Sequence, residues 1–359
     1  MQSLGRVTTL FALAAATGAC GEGRLDLPIA VLTPARDTIA VPFTIVTAAA
    51  WLGGGRWAVL APDEDVVALV DFARGSVDTL GGRRHRAYHN PLHIFAAHDT
   101  LYVSDWGLRR VTAWDRTGRL LDSFPAFDAL RGALPQASDG AGRFYSKLPP
   151  RGGAGSADSA AVVRTARGKQ SADTVAALAP PDLAEVQGDR GVRLERRILS
   201  GEDAWGVRTD GAVWIARVGQ NRVAWFMPDG QQRDGPLLPD RVLPVTQVDR
   251  DQFLEGFPPG LRSTARKLPF AAIKPAFVAG ITTADGEVWL ERSRAPADTV
   301  QQYQVIDSAG QLVMAIHIPG WGRVRAVGTD AALVAEPFDE RVLLLQFELP
   351  ANRPDRDAN

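Results

Sequence analysis

Four of the five histidines, His85, His89, His93 and His98, lie within fourteen residues of one another, and only His317 is elsewhere. Imidazoles spaced by four on a helix would share a face and could hold a transition metal. Pro91 and the strand expected from His93 to Ala97 break that helix, and no acidic group completes a ligand set. The segment therefore reads as a polar loop that brings His89, Asn90 and His93 to the mouth of the fold, with no metal assigned to it.

A second group of chemistry-bearing residues recurs at turn positions. Asp105, Trp106 and Arg109 share one such turn, and Lys147 with Arg151, Gln220 with Arg222, Glu291 with Arg292, and Asp339 with Arg341 occupy others. Mixed charges gathered on one face would suit a polar ligand or a peptide segment. Asp and Arg also favour turns for a local reason, because they satisfy turn backbone and stay solvated. Arg109, Arg222 and Arg341 stand at corresponding places just before a strand, where structural pairing between repeats is expected. Of the nine Trp, five (Trp57, Trp114, Trp214, Trp225 and Trp289) fall within strands and read as packing residues, whereas Trp106 and Trp321 sit in exposed turn-like settings. The candidate contacts for a ligand or partner are thus His89, His93, Asp105, Trp106, Arg109 and Lys147 in the first half of the chain. Arg222, Glu291, Trp321 and Asp339 follow in the second.

Enzyme signatures do not emerge from these residues. The sequence has no Gly-x-Ser-x-Gly elbow, no His-Glu-x-x-His and no Gly-x-x-x-x-Gly-Lys-Ser/Thr. Gly53-Gly54-Gly55-Arg56-Trp57-Ala58 fits a dinucleotide fingerprint in letters, but it precedes a strand where that motif must open a helix. No spacing fixes which carboxylates approach one another, so no catalytic acid or base is assigned.

The elements that must position these residues are short strands between Asp-Gly and Thr-Gly turns, which predicts an all-β fold. In Asp99–Phe124 the strands are Leu101–Ser104, Val111–Asp115 and Arg119–Phe124, and His93–Ala97 adds a fourth. Four antiparallel strands in about 40 residues make one propeller blade. Similar units begin near Gly54, Gly142, Asp210, Asp285 and Asp330, giving six. The last unit lacks an outer strand, and Asp37–Val41 can supply it, closing the ring and covering two open edges. Insertions at 180–200 and 237–275 interrupt the period. The second, between blades 4 and 5, carries a short helix at Asp249–Phe257 and is a candidate lid.

Residues 101–121 (LYVSDWGLRRVTAWDRTGRLL) resemble an NHL-type repeat, and the run from Ala204 to Leu349, with its KLPFAAIKPAF segment, is similar to six-bladed β-propeller lipoproteins of high-GC bacteria. The shared motifs are turn and packing signals, so the resemblance implies fold more than function. Six-bladed lactonases hold a divalent cation in the channel with acidic and amide side chains, and that cofactor belongs to the enzyme alternative.

The leader MQSLGRVTTLFALAAATGAC has one charge, a short apolar run and small residues before the single Cys. It reads as a signal peptide over 1–19, with Cys20 as a lipidated first residue and 20–28 as a tether, since the apolar run is far below the ~20 residues needed to cross a bilayer. The body would then be 29–350, followed by a polar tail at 351–359. One Cys excludes an internal disulfide or a four-thiolate zinc site, and a net charge of −1 argues against nucleic acid as a partner. The expected protein is a monomeric body, exported and lipid-anchored in the bacterial cell envelope, on the periplasmic side or the outer membrane. It would bind a polar ligand or protein on the propeller's top face. The alternatives are a cation-dependent lactonase- or lyase-like enzyme and a docking platform in an envelope complex.

Overall fold

Strand segments such as Arg56–Ala61 (RWAVLA) and Val288–Arg292 (VWLER) are buried on both faces, as strands packed between two other sheets must be. The computed structural model describes residues 27–350 except 34, 82–86, 151–157, 170 and 189–190. The leader, Cys20, His85 and the tail at 351–359 lie outside the described residues.

The strands form six four-stranded antiparallel blades. Blade 1 comprises Ala48–Gly53, Arg56–Ala61, Val66–Asp71 and Ser76–Thr79. Blade 2 comprises Pro91–Ala97, Thr100–Asp105, Arg110–Asp115 and Leu120–Pro125. Blade 3 starts with the two-residue strand Ala137–Ser138 and continues with Arg143–Leu148, Ala161–Ala166 and Asp173–Ala177. Blade 4 is Ala204–Val207, Val213–Arg217, Arg222–Phe226 and Gln232–Asp234. Blade 5 is Phe277–Thr282, Val288–Arg292, Val300–Ile306 and Leu312–Pro319. Blade 6 takes Arg323–Val327, Ala331–Phe338 and Arg341–Glu348 from the C-terminal part and Asp37–Val41 from the N-terminal part. The first strand of each blade touches the first strands of both neighbours, so the ring closes after six.

Asp37–Val41 pairs antiparallel with Arg341–Glu348, from Asp37 opposite Gln346 to Val41 opposite Val342, which is the closing strand expected from the sequence. Unexpected is a fifth strand on blade 5. Ile29–Val31 adds in parallel to Leu312–Pro319, with Ile29 opposite Ala315. Three residues with exposed, intermediate, exposed burial carry too little pattern to be read as a strand.

Large indoles fill the spaces between blades. Trp57, Trp214, Trp225 and Trp289 are fully buried and Trp114 nearly so, and truncating one to Ala would cost about 3–5 kcal/mol. Trp214 fits because it faces glycines on the inner strands of two blades. A Cβ on Gly206 or Gly280 would come within 2.6 Å or less of its ring or of Thr282.

The helical insertion between blades 4 and 5 contains Gln247–Glu255, two residues earlier than expected. Thr246 accounts for the start, because its hydroxyl and the Asp249 carboxylate cap one another's backbone N–H in a capping box. The insertion between blades 3 and 4 is a hairpin of Leu183–Gly188 and Gly191–Arg196.

Candidate functional site

Strand direction alternates within each blade, so the turns between second and third strands share one face with the connections from each outer strand to the next inner strand. This top face collects the turn residues noted in the sequence, apart from Arg151, which lies outside the described residues. Several of its carboxylates serve as ties. Asp105 is fully buried and accepts from the backbone N–H groups of His89 at 2.9 Å and Leu108 at 3.0 Å. Asp65 accepts from the Asn90 N–H at 2.5 Å and lies 3.6 Å from His89 Nδ1. His89 and Asn90 are therefore held by acids of blades 1 and 2. Asp203, 4% exposed, ties blades 3 and 4 by accepting from the N–H groups of Ala179 and Val218 and from Arg217 Nη1, at 2.8 to 2.9 Å. Lys147 meets Glu202 at 2.8 Å across the same junction.

Of the remaining candidates, His93, Trp106 and Arg109 share blade 2, whereas Arg222 and Asp339 stand on blades 4 and 6. His93 is half-buried on the inner strand of blade 2, and burial pushes its pKa down to about 4, so the imidazole is neutral at pH 7. Trp106 is exposed, with the Arg109 guanidinium 5.1 Å from its ring centre. Arg109 also reaches Gly132 O at 3.4 Å, a contact with the connection to blade 3. Arg222 lies 3.9 Å from Asp234, the last residue of the outer strand of its own blade. Asp339 occupies an exposed left-handed turn position at φ 53°.

The two insertions are bonded to each other. Ile198 donates to Pro269 O at 2.8 Å and accepts from the Ala271 N–H at 2.9 Å, joining the hairpin segment to the helical one. Lys274 pairs with Asp249 at the helix start and also donates to Arg294 O at 2.8 Å, which pins the insertion to a blade 5 turn. Nearby, buried Arg292 is held by Asp240 at 2.6 Å and by Asn221 and Gln304, each at 3.2 Å.

Beside the helical insertion, Glu291 and Trp321 come together with arginines that the sequence reading missed. Glu291, 4% exposed, takes Nε and Nη2 of Arg323 on one oxygen at 2.9 and 2.8 Å, and Tyr303 Oη lies 3.5 Å from the other. Trp321 is 55% exposed, and the Arg294 guanidinium lies 4.1 Å from its ring centre. The backbone N–H of Trp321 faces Glu336 Oε1 at 3.4 Å, and Arg294 Nη1 donates to Gly320 O at 3.3 Å. Arg325 completes the group from the inner strand of blade 6. Burial disfavours its charged form, and repulsion from Arg323 adds to that; Arg294 is pushed down by burial as well. Alternating arginines at Arg323 and Arg325 after Gly320-Trp321-Gly322 were the available signal, since charge on an innermost strand is hard to explain by packing.

Concavities also occur elsewhere. One of about 280 Å³ between blades 2 and 3 is lined by Tyr102, Phe124, Phe144 and Arg167, and one of about 430 Å³ lies beside Val31, Arg36 and Glu348. Neither contains any of the candidates from the sequence.

The chain matches no protein-family model and no curated protein. Among solved structures it is similar to a DUF4221 family member from Bacteroides vulgatus, at 9% identity and TM-score 0.48, covering 88% of this chain and 97% of the other. It is also similar to the calcium-binding protein regucalcin from Agrobacterium tumefaciens, at 10% identity and TM-score 0.45 over 90% and 97% of the two chains. A streptogramin B lyase aligns at 10% identity and TM-score 0.43 over 87% and 97%. These likenesses carry no functional weight, and the six-bladed assignment rests on the sheet order itself.

Proposed function

We propose that this chain is an exported lipoprotein, anchored through Cys20 in the bacterial cell envelope, whose propeller binds a polar ligand or a protein on its top face without transforming it. The supporting observation is how the top-face acids are engaged. Asp65, Asp105, Asp203, Asp240 and Glu291 each accept hydrogen bonds or ion pairs from the protein's own backbone, arginines or histidine. Such acids are fixed as connectors, whereas a general acid or base must reach a substrate proton. Exposed among them are Trp106, Arg109, Trp321 and Arg323, donors and aromatic faces suited to recognition, together with the carboxylate of Asp339.

Two measurements test this reading. Membrane fractionation of Cys20→Ser is expected to move the protein to the soluble fraction, and an unchanged membrane pool overturns the anchor. Incubating the purified protein with δ-lactones and Ca²⁺ is expected to give no acid release above buffer; turnover would replace the binding role with the lactonase alternative.

A further inference from the structure

We infer that the blade 5–blade 6 corner of the top face is a binding site for a small multivalent oxyanion, with Arg294, Arg323 and Arg325 as its guanidinium donors and Trp321 as its apolar wall. The inference rests on the top-face binding reading and names the class of ligand for it.

The first support is the balance of charge. Arg323 repels both Arg294 and Arg325, and among the described residues Glu291 is the carboxylate that pairs with Arg323 at this corner. Two other acids lie at the edge with partners of their own. Asp298 accepts from the Ala295 N–H at 2.7 Å and from Arg241 at 3.1 Å, and Glu336 faces the backbone N–H of Trp321. Asp298 is thus balanced by Arg241, and three guanidiniums against the two carboxylates Glu291 and Glu336 leave one positive charge in excess, in a half-buried setting where bringing like charges together is costly.

The second support is donor geometry. Arg325 uses Nη1 on Thr47 O at 3.4 Å, while its buried Nε, like those of Arg110 and Arg222, has no partner among the described residues. An arginine carries five donors in a planar fork, and a buried donor left unused needs a reason. Arg325 also sits at a bulge. Val324 pairs with Val334 and Ala326 with Leu333, leaving Arg325 between them without a ladder partner. Bulges re-aim a side chain away from the regular alternation and are enriched beside functional sites. Arg323 is half exposed, so the corner is open to solvent. Carboxylate and phosphate both match the planar fork, and this shared chemistry defines the ligand class.

The test is a thermal-shift and calorimetric titration of the full chain with citrate and, separately, with inorganic pyrophosphate at low and high NaCl. Wild type is compared with Arg325→Gln, Arg294→Gln and Arg74→Gln, the last a surface change on blade 1. At least one oxyanion should raise the melting temperature of wild type and of Arg74→Gln, with a smaller effect at high salt. Arg325→Gln should bind about ten- to a hundredfold more weakly. Unliganded Arg325→Gln should melt above wild type, because a costly charge has gone; an arginine kept for structure would give a lower melting point. The preference between citrate and pyrophosphate assigns the source as carboxylate or phosphate. No shift with either oxyanion, or equal shifts in wild type and Arg325→Gln, overturns the inference. Lactone turnover in the same preparation would overturn the underlying binding reading, so the two failures are separable.

Discussion

Trp57 Nε1 donates to Gln346 Oε1 at 2.8 Å, in a buried bond that joins the first blade to the last across 289 residues of sequence. Trp57 belongs to the second strand of blade 1 and Gln346 to the third strand of blade 6, so the bond spans the seam where the ring closes. Gln346→Ala leaves the indole N–H unpaired in a dry interface. Urea unfolding should report a loss of about 1–3 kcal/mol.

The closing strand and the parallel strand make separable contributions. A chain starting at Thr33 loses the pairing of Ile29–Val31 and should still unfold cooperatively. A chain starting at Phe43 also loses Asp37–Val41, exposing the edge of Arg341–Glu348 and the partly buried Ile39 beside the seam cluster. That second chain should aggregate or lose a cooperative transition, as seen by circular dichroism and size-exclusion chromatography.

Asp203 anchors two backbone N–H groups and one arginine at the junction of blades 3 and 4. Asp203→Ala strips all three donors of their acceptor and should destabilise the fold by about 3–5 kcal/mol in denaturant titrations. If Asp203 were instead a ligand group, stability would change little and binding would be lost.

Trp214 is bounded by glycines on two inner strands, so Gly280→Ala places a methyl group 2.6 Å from the indole. Overpacking of this kind should cost about 1–3 kcal/mol in calorimetry, and Trp214→Phe should relieve part of it.

His93 supplies a pH dependence. Its folded pKa of about 4 lies below its ordinary value of 6.5, so the unfolded chain binds a proton more readily between these values. The stability that His93 contributes as a neutral group is complete above pH 6.5 and is lost as pH falls towards 4, by up to about 3 kcal/mol. His93→Phe should flatten the melting temperature against pH in this window, whereas an identical slope would show that other groups govern it.

The ring was legible because its information is local. Asp-Gly turns, alternating strands and the incomplete last unit mark blades without any knowledge of distant contacts, and Asp37–Val41 follows from counting strands. The site was less legible because its partners are remote. Glu291 and Trp321 could be noted singly, but their union through Arg323 and Arg294 depends on how blade 5 meets blade 6. Asp105 reads as an exposed turn acid and is in fact fully buried, since His89 is folded over it from the preceding connection.

The parallel strand Ile29–Val31 also has a mechanical consequence. A force entering the body from residue 27 meets the hydrogen bonds between this strand and blade 5 before it reaches Asp37–Val41. The chain then has to detach from one blade before it can pull on the strand that closes the ring. The short strand thus acts as strain relief, isolating the seam from tugging at the N-terminal end.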